Sequence, residues 1–132
     1  MSSVFTKIVS GEIKSYKIAE DDNYLAFLDV FPLAKGHVLV IPKKEVDYIF
    51  DVSDDEYIGL WSFAKKVSLA IKKAIPCKRV GVAVVGLEVP HAHIHLLPLQ
   101  SVEDINFSKP KLKPEPSELQ LIAETIREQL HE

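Results

Sequence analysis

Hydrophobic residues recur in two periods along this chain, alternating in short runs and returning every three to four residues in longer ones. Ser2 or Ser3 stands at a capping position before Val4, Phe5, Ile8 and Val9, a short opening helix that Ser10-Gly11 closes. Tyr16 to Ala19 and Tyr24 to Leu28 read as two strands joined by the polar turn Glu20-Asp21-Asp22-Asn23. After the loop Phe31 to Gly36, where Gly36 supplies the backbone freedom to start the next strand, His37 to Ile41 is a strand stopped by Pro42. Ser53-Asp54-Asp55-Glu56 is a capping box, and Tyr57, Leu60, Trp61, Ala64, Val67, Ile71 and Ala74 then recur at helical spacing until Pro76. This predicts a long helix covering one face of a sheet, with Trp61 in the core and Lys65, Lys66, Lys72 and Lys73 in solvent.

Arg79 to Val85 is a β-branched run suited to a central strand, and Gly86 to Pro90 turns the chain into its hairpin partner. Gln100 to Pro116 reads as a connecting loop, anchored by Phe107. Ser117 with Gln120 forms a second capping box, opening an amphipathic helix over residues 117–132 with Leu119, Ile122, Ala123, Ile126 and Leu130 on one side. The fold class is α+β: about five mostly antiparallel strands with one long helix and terminal helices, in a single domain over residues 1–132.

The hairpin partner carries His91-Ala92-His93-Ile94-His95, so three of the five histidines fall in five positions with strict alternation. On a strand, His91, His93 and His95 would line one face while Ala92, Ile94 and Leu96 pack on the other. A metal site or a solvated strand face is one reading of such a row. Geometry opposes the metal reading: alternate side chains stand ~6.6 Å apart and the three span ~13 Å, while zinc takes nitrogens at ~2.0–2.1 Å. Ligands would have to come from elsewhere, and a cupin-like site would need a carboxylate and another histidine on later strands. The chemistry that suits a histidine row is phosphoryl or nucleotidyl transfer, in which one neutral imidazole attacks phosphorus and its neighbours hold phosphate oxygens and relay protons.

Composition narrows the setting. A hydrophobic fraction of 47% with 27% charged residues is ordinary for a globular chain, and a net charge of −3 leaves no electrostatic footprint for nucleic acid or an anionic membrane. Cys77 is the only cysteine, which excludes an intrachain disulfide. No apolar run approaches the ~20 residues of a membrane span, and the first residues lack a signal-peptide pattern. The expectation is a cytoplasmic protein without nucleic-acid or membrane partners.

The histidine stretch, read with Tyr24 to Lys44, resembles the histidine triad (HIT) family of nucleotide hydrolases and transferases, for which H-φ-H-φ-H followed closely by Pro98 is a specific signal. The likeness runs from Phe5 to about Val46 and resumes from Gly86 to Pro98. It implies the HIT fold, a homodimer whose sheets join side by side, a purine nucleotide substrate and no cofactor. It also implies that His93 attacks the α-phosphate to form a nucleotidyl-histidine that water releases. His91 would orient His93 partly through its backbone carbonyl, and His95 and His37 would contact phosphate oxygens. Asp29 matches a ribose-binding position, although from the residues alone it reads equally as a turn-forming aspartate before Phe31-Pro32. Phe5, Ile8, Phe27 and Val30 match positions of the purine pocket.

This chain departs from that pattern in three places. Family members with structural zinc carry C-x-x-C near the N-terminus and a histidine after Pro-Lys; Ser3, Thr6 and Glu45 stand there, so no metal is expected. Glu88 occupies a position that usually donates a hydroxyl hydrogen bond toward phosphate or leaving group, which would favour a leaving group bearing an amine and disfavour a polyphosphate. No side-chain amide occurs in Arg79-Val80-Gly81-Val82-Ala83-Val84, where one is usual. The enzymatic readings are therefore a nucleoside phosphoramidase and, second, a dinucleoside polyphosphate hydrolase. A nucleotide-binding regulatory protein with weak turnover is the reading from a different class.

Overall fold

The computed structural model describes residues 2–130. Three α-helices and five strands follow one another as α1 (Val4–Ser10), β1 (Lys17–Glu20), β2 (Tyr24–Leu28), β3 (Val38–Pro42), α2 (Asp54–Ala74), β4 (Arg79–Ala83), β5 (Ile94–Leu99) and α3 (Pro116–Arg127). The strands form one sheet in the order β1-β2-β3-β5-β4, every neighbour antiparallel. This is the α+β architecture expected from the sequence.

Both faces of the sheet are covered. On one side Leu60, Ala64, Val67 and Ile71 of α2 and Leu119, Ile122, Ala123 and Ile126 of α3 pack on Ala26, Leu28, Val38, Val40, Ile94 and Leu96. On the other, Phe5 and Ile8 of α1 pack on Leu25, Phe27, Leu39 and Ile41. Every residue of β2 and β3 is buried for that reason, and their near-continuous apolar runs match a strand covered twice.

Local chemistry sets the element ends. Ser3 caps α1 by accepting the Thr6 N–H, and Gly11 closes the helix in the left-handed region at φ 88°. Ser53 caps α2 by accepting the Glu56 N–H, and Asp54, Asp55 and Glu56 face the positive end of the helix dipole. Gly36 sits at φ 93° just before His37, as the loop reading required, and delivers that histidine to the start of β3.

Three expectations are corrected. The last helix is not capped by Ser117: Glu115 holds the cap position and Pro116 the first turn, where its missing N–H costs nothing and its fixed φ is already helical. That helix ends at Arg127 instead of running to residue 132, and residues 131 and 132 lie outside those described. Finally, β4 is an edge strand instead of a central one, with Val82 and nearby Val85 about half exposed.

At Gly59, on α2, an added methyl group would overlap Tyr24 Oη and come within 2.8 Å of its Cζ. Gly59→Ala should therefore destabilise the protein by about 1–3 kcal/mol in urea denaturation, although alanine is the better helix former by about 1 kcal/mol. The penalty should shrink in a Tyr24→Phe background; an equal penalty there would rule out the contact with Tyr24 as its cause.

Candidate functional site

The histidines meet where β3 and β5 run side by side. The register Leu39↔His95 and Val40↔Ile94 puts His95 on the α1 face of the sheet beside Leu39. His37 enters one residue before β3, on the adjoining strand. Ala92, Ile94 and Leu96 lie in the core under α2, so the alternation read from the sequence holds. The ladder, however, begins only at Ile94. Ahead of it, the Ala92 N–H donates to Val46 O (2.7 Å) and the His91 N–H to Val89 O (2.8 Å), so His91 to His93 are held by the segment after β3 and by their own turn. Phe5 touches both rings edge-on, at centroid distances of 5.9 Å to His91 and 5.0 Å to His93, and His93 lies 4.9 Å from His95.

Backbone groups fix the protons on these rings. The Leu33 N–H donates to His37 Nδ1 (3.1 Å), so the proton of neutral His37 is on Nε2 and is donated to His95 Nδ1 (3.0 Å). His95 then carries its own proton on Nε2. The carbonyls of Pro42 and His91 can only accept, which places a proton on His91 Nε2 (2.8 Å) and another on His93 Nδ1 (2.7 Å). Neutral His93 therefore presents an unprotonated Nε2, and His95 an Nε2–H. One ring offers a nucleophilic lone pair, and its neighbour a donor for an anionic oxygen.

Burial keeps three of these rings uncharged. Desolvation, aided by the neighbouring histidines and Lys111, pushes His37 down to about 3 and, in the same way, His95 down to about 4. His91 is lowered by burial against the opposing pull of the Pro42 carbonyl. Asp29 is shifted the other way: burial raises its carboxyl, and Glu88 adds to that, against the Phe31 N–H and the cation of Lys111.

A cleft of about 600 Å³ opens on this face, a volume suited to a small ligand. Phe5, Leu39, His93 and His95 form its floor, and Asp29 and Glu88 reach its rim. Asp29 Oδ1 accepts the Phe31 N–H (3.0 Å), which realises the turn reading, and Oδ2 stands 3.8 Å from His37 Nε2. Because His37 is neutral and its Nε2–H is engaged by His95, that approach is not an ion pair. Phe27 packs edge-on against Phe5 at 5.4 Å and, with Ile8, stands behind the wall. Val30 is exposed, and its neighbour Phe31 takes the place on the wall. Glu88 is solvent-exposed.

Sequence reasoning missed part of the site. Phe107, read only as a loop anchor, stacks edge-on over His95 at 4.7 Å and His37 at 6.3 Å. Lys111 and Lys113 also reach the cleft, on a segment held in place by the Leu112 N–H to Pro32 O bond (2.9 Å). The Lys-Pro-Lys-Leu-Lys run at 109–113 was the available signal. Ser3, read from the sequence as a helix cap and at a zinc position, donates to His91 Nδ1 (2.9 Å). Among the described residues, Asp29, His37 and His95 bring three potential metal-ligating atoms within 4.8 Å of one another. Two of those atoms already share the His37 proton, so a cation there would have to displace it.

The profile of the HIT domain matches residues 10–102. The chain belongs to the HIT family. Among its HIT relatives, the Schizosaccharomyces pombe protein named adenosine 5'-monophosphoramidase is 34% identical, covering 96% of each chain. A HIT-like protein of Borreliella burgdorferi is 34% identical over 80% of this chain and 81% of its own. Two solved HIT structures superpose closely: a protein involved in cell-cycle regulation from Bartonella henselae, with TM-score 0.87 and 28% identity over 98% and 96% of the two chains, and a zinc-bound one from Mycobacterium smegmatis, with TM-score 0.81 and 27% identity over 98% and 94%.

The buried neutral histidines make stability depend on pH. An unfolded imidazole takes its proton near 6.5, whereas His37 resists to about 3 and His95 to about 4. Between those values the unfolded chain binds protons that the folded chain excludes, so stability is complete above about pH 6.5 and falls as the pH drops toward 4. The slope is at most about 1.4 kcal/mol per pH unit for each histidine. Urea denaturation at pH 7 and pH 5 should show this loss, and His37→Asn should lose less; an identical dependence in the two proteins would exclude His37 as a source.

Proposed function

We propose that the chain is a hydrolase that cleaves a purine nucleoside phosphoramidate, or a related nucleotide conjugate, at its α-phosphate. The observation that carries this reading is the His93 Nδ1–H bond to the His91 carbonyl, which leaves the Nε2 lone pair free on a ring that lines the cleft. In the first step, Nε2 attacks phosphorus, the bond to the leaving group breaks, and the leaving group departs with its electron pair and takes up a proton from solvent. The ring is then a nucleotidyl-imidazolium whose Nδ1–H points its charge at a carbonyl oxygen. His95 Nε2–H, aligned by His37, stabilises the oxygens as negative charge grows on them. In the second step, water attacks phosphorus and gives up a proton to solvent, the bond from phosphorus to Nε2 breaks, and the nucleoside monophosphate leaves with the Nε2 lone pair regenerated.

The remaining roles follow from position. Asp29 Oδ2 would accept from the ribose hydroxyls, whose donated bonds would offset the burial that raises its carboxyl. Phe5 would meet the base, backed by Phe27 and Ile8, with Val30 at the outer margin. Glu88 at the rim suits an amine leaving group. No cofactor is needed for this chemistry, and Ser3, Thr6 and Glu45 are a poor donor set for zinc, which takes thiolates and imidazoles.

A second reading draws on Lys111 and Lys113, since two cations on the cleft favour an anionic polyphosphate and thus a dinucleoside polyphosphate substrate. The named activity of the fission yeast relative supports the first. A binding protein with weak turnover stays the alternative from outside enzymology. A homodimer is supported by the open edge of β4 and by an adjoining cleft of about 280 Å³ lined by Tyr48, Phe50, Tyr57 and Trp61 beside Gly86 and His93. No helix of the described residues is long and apolar enough to cross a membrane. A single cytoplasmic domain without membrane or nucleic-acid partners, in keeping with the net charge of −3, is part of this reading.

Steady-state release of AMP from adenosine phosphoramidate and from diadenosine tetraphosphate tests both readings. The parent should prefer the phosphoramidate, His93→Ala should lose at least about 10³-fold in kcat, and Glu88→Ser should shift the preference toward the tetraphosphate. Activity surviving in His93→Ala would remove the proposed chemistry, and unchanged selectivity in Glu88→Ser would remove the role given to Glu88.

A further inference from the structure

Away from the nucleotide cleft, Ser3 and Thr6 meet the ring of His91, the residue whose carbonyl holds the His93 proton, and Glu45 holds both of them. The His91 ring is fully buried and engaged at both nitrogens, by Pro42 O at Nε2 (2.8 Å) and by Ser3 Oγ at Nδ1 (2.9 Å). Ser3 is itself buried, and its oxygen also accepts the Thr6 N–H (3.0 Å), so one hydroxyl caps α1 and donates to the imidazole. The Ser3 backbone N–H donates to Glu45 Oε1 (2.7 Å), and the Thr6 hydroxyl donates to the same oxygen (2.6 Å). Glu45 thereby ties the first turn of α1 to the chain just after β3, three residues from the Pro42 carbonyl that grips the other side of the ring.

The shortest contacts give each proton of this network a place, with the Thr6 hydroxyl standing farther off, 3.4 Å from His91 Nδ1 and 3.3 Å from Ser3 Oγ. Pro42 O only accepts, so His91 Nε2 holds the ring proton and Nδ1 must accept. The Ser3 hydroxyl therefore donates to it and uses a lone pair for the Thr6 N–H, while the Glu45 carboxylate accepts from both remaining donors. A buried network that is satisfied throughout fixes one orientation of its members.

We propose that Ser3, Thr6 and Glu45 are positioning residues of the reaction, acting through His91 to hold the carbonyl that keeps the proton of His93 on Nδ1. This rests on the reading of His93 as the nucleophile. Removing the Ser3 hydroxyl would leave only the Thr6 hydroxyl near His91 Nδ1, at 3.4 Å and already donated to Glu45, so the ring would keep one short bond, at Nε2. The His91 peptide, and with it the His93 bond, would then be free to shift. A simple staple for the N-terminal helix would instead affect stability and leave the His93 ring as it was.

Ring 15N–1H correlations of the free protein, together with steady-state kinetics on adenosine phosphoramidate, separate these roles. In the parent, His93 Nδ1–H and His91 Nε2–H should both give protected signals. Ser3→Ala should broaden or abolish the His93 signal and lower kcat about tenfold with KM changed less than about threefold, and Ser3→Thr, which keeps the hydroxyl, should restore both. Glu45→Ala removes an exposed side chain and opens no cavity; it should give the same pattern more weakly, with recovery in Glu45→Gln. An unchanged His93 signal and unchanged kcat in Ser3→Ala and Glu45→Ala, with lowered stability alone, would overturn the proposal. The ring signals need no turnover, so an inactive parent would count against the hydrolase reading and leave this one to be judged by the signals.

Discussion

The 2.7 Å hydrogen bond from His93 Nδ1 to the carbonyl of His91 is the contact on which the proposed chemistry depends. A neutral imidazole has one proton and two nitrogens, and only the choice of nitrogen decides whether the other can attack. A backbone carbonyl makes that choice without a charge, at a place where an ionised partner would be expensive to bury. The cost is geometric, because a carbonyl two residues away reaches its own neighbour's ring only if the chain between them is held still. Much of the molecule bears on that requirement: Val46 O takes the Ala92 N–H, Pro42 O and Ser3 take the His91 ring, and Phe5 closes over both imidazoles.

The same requirement accounts for a sheet covered on both sides. Ala92, Ile94 and Leu96 are locked against α2, and the residues between them are thereby pressed into the α1 face, where imidazoles replace aliphatic side chains. Burial there keeps His37 and His95 neutral, and neutrality lets a single proton direction run from the Leu33 N–H through His37 to His95. The acid sensitivity of the fold and the donor aimed at the cleft have one physical origin.

Periodicity made much of this legible. Alternation through Leu96 correctly assigned the two faces, the run from Tyr57 to Ala74 marked α2, and Gly36 foretold the turn that delivers His37. Periodicity failed where contacts are distant in sequence or where two signals compete. Nothing local distinguishes a ladder starting at Ile94 from one starting at His91, because the partner that ends it is Val46 O across the chain. Ser117 offered a capping box, but Pro116 one residue earlier determined the helix start. Arg79 to Ala83 has the composition of a central strand, yet among the described residues only β5 pairs with it, and Val82 stays about half exposed while Val80 packs on the core. Phe107 and the lysines at 111 and 113 sit in a segment with no periodicity, and their closeness to His95 is a property of the tertiary fold alone.

The central claim is that His93 Nε2 becomes bonded to phosphorus. Intact-protein mass after brief mixing with adenosine phosphoramidate, quenched once in acid and once at neutral pH, measures that bond directly. The account predicts one added nucleoside monophosphate on the parent chain, preserved in the neutral quench, lost in acid and absent from His93→Ala. Release of the monophosphate with no such adduct at any mixing time, or an adduct that persists in His93→Ala, would contradict it.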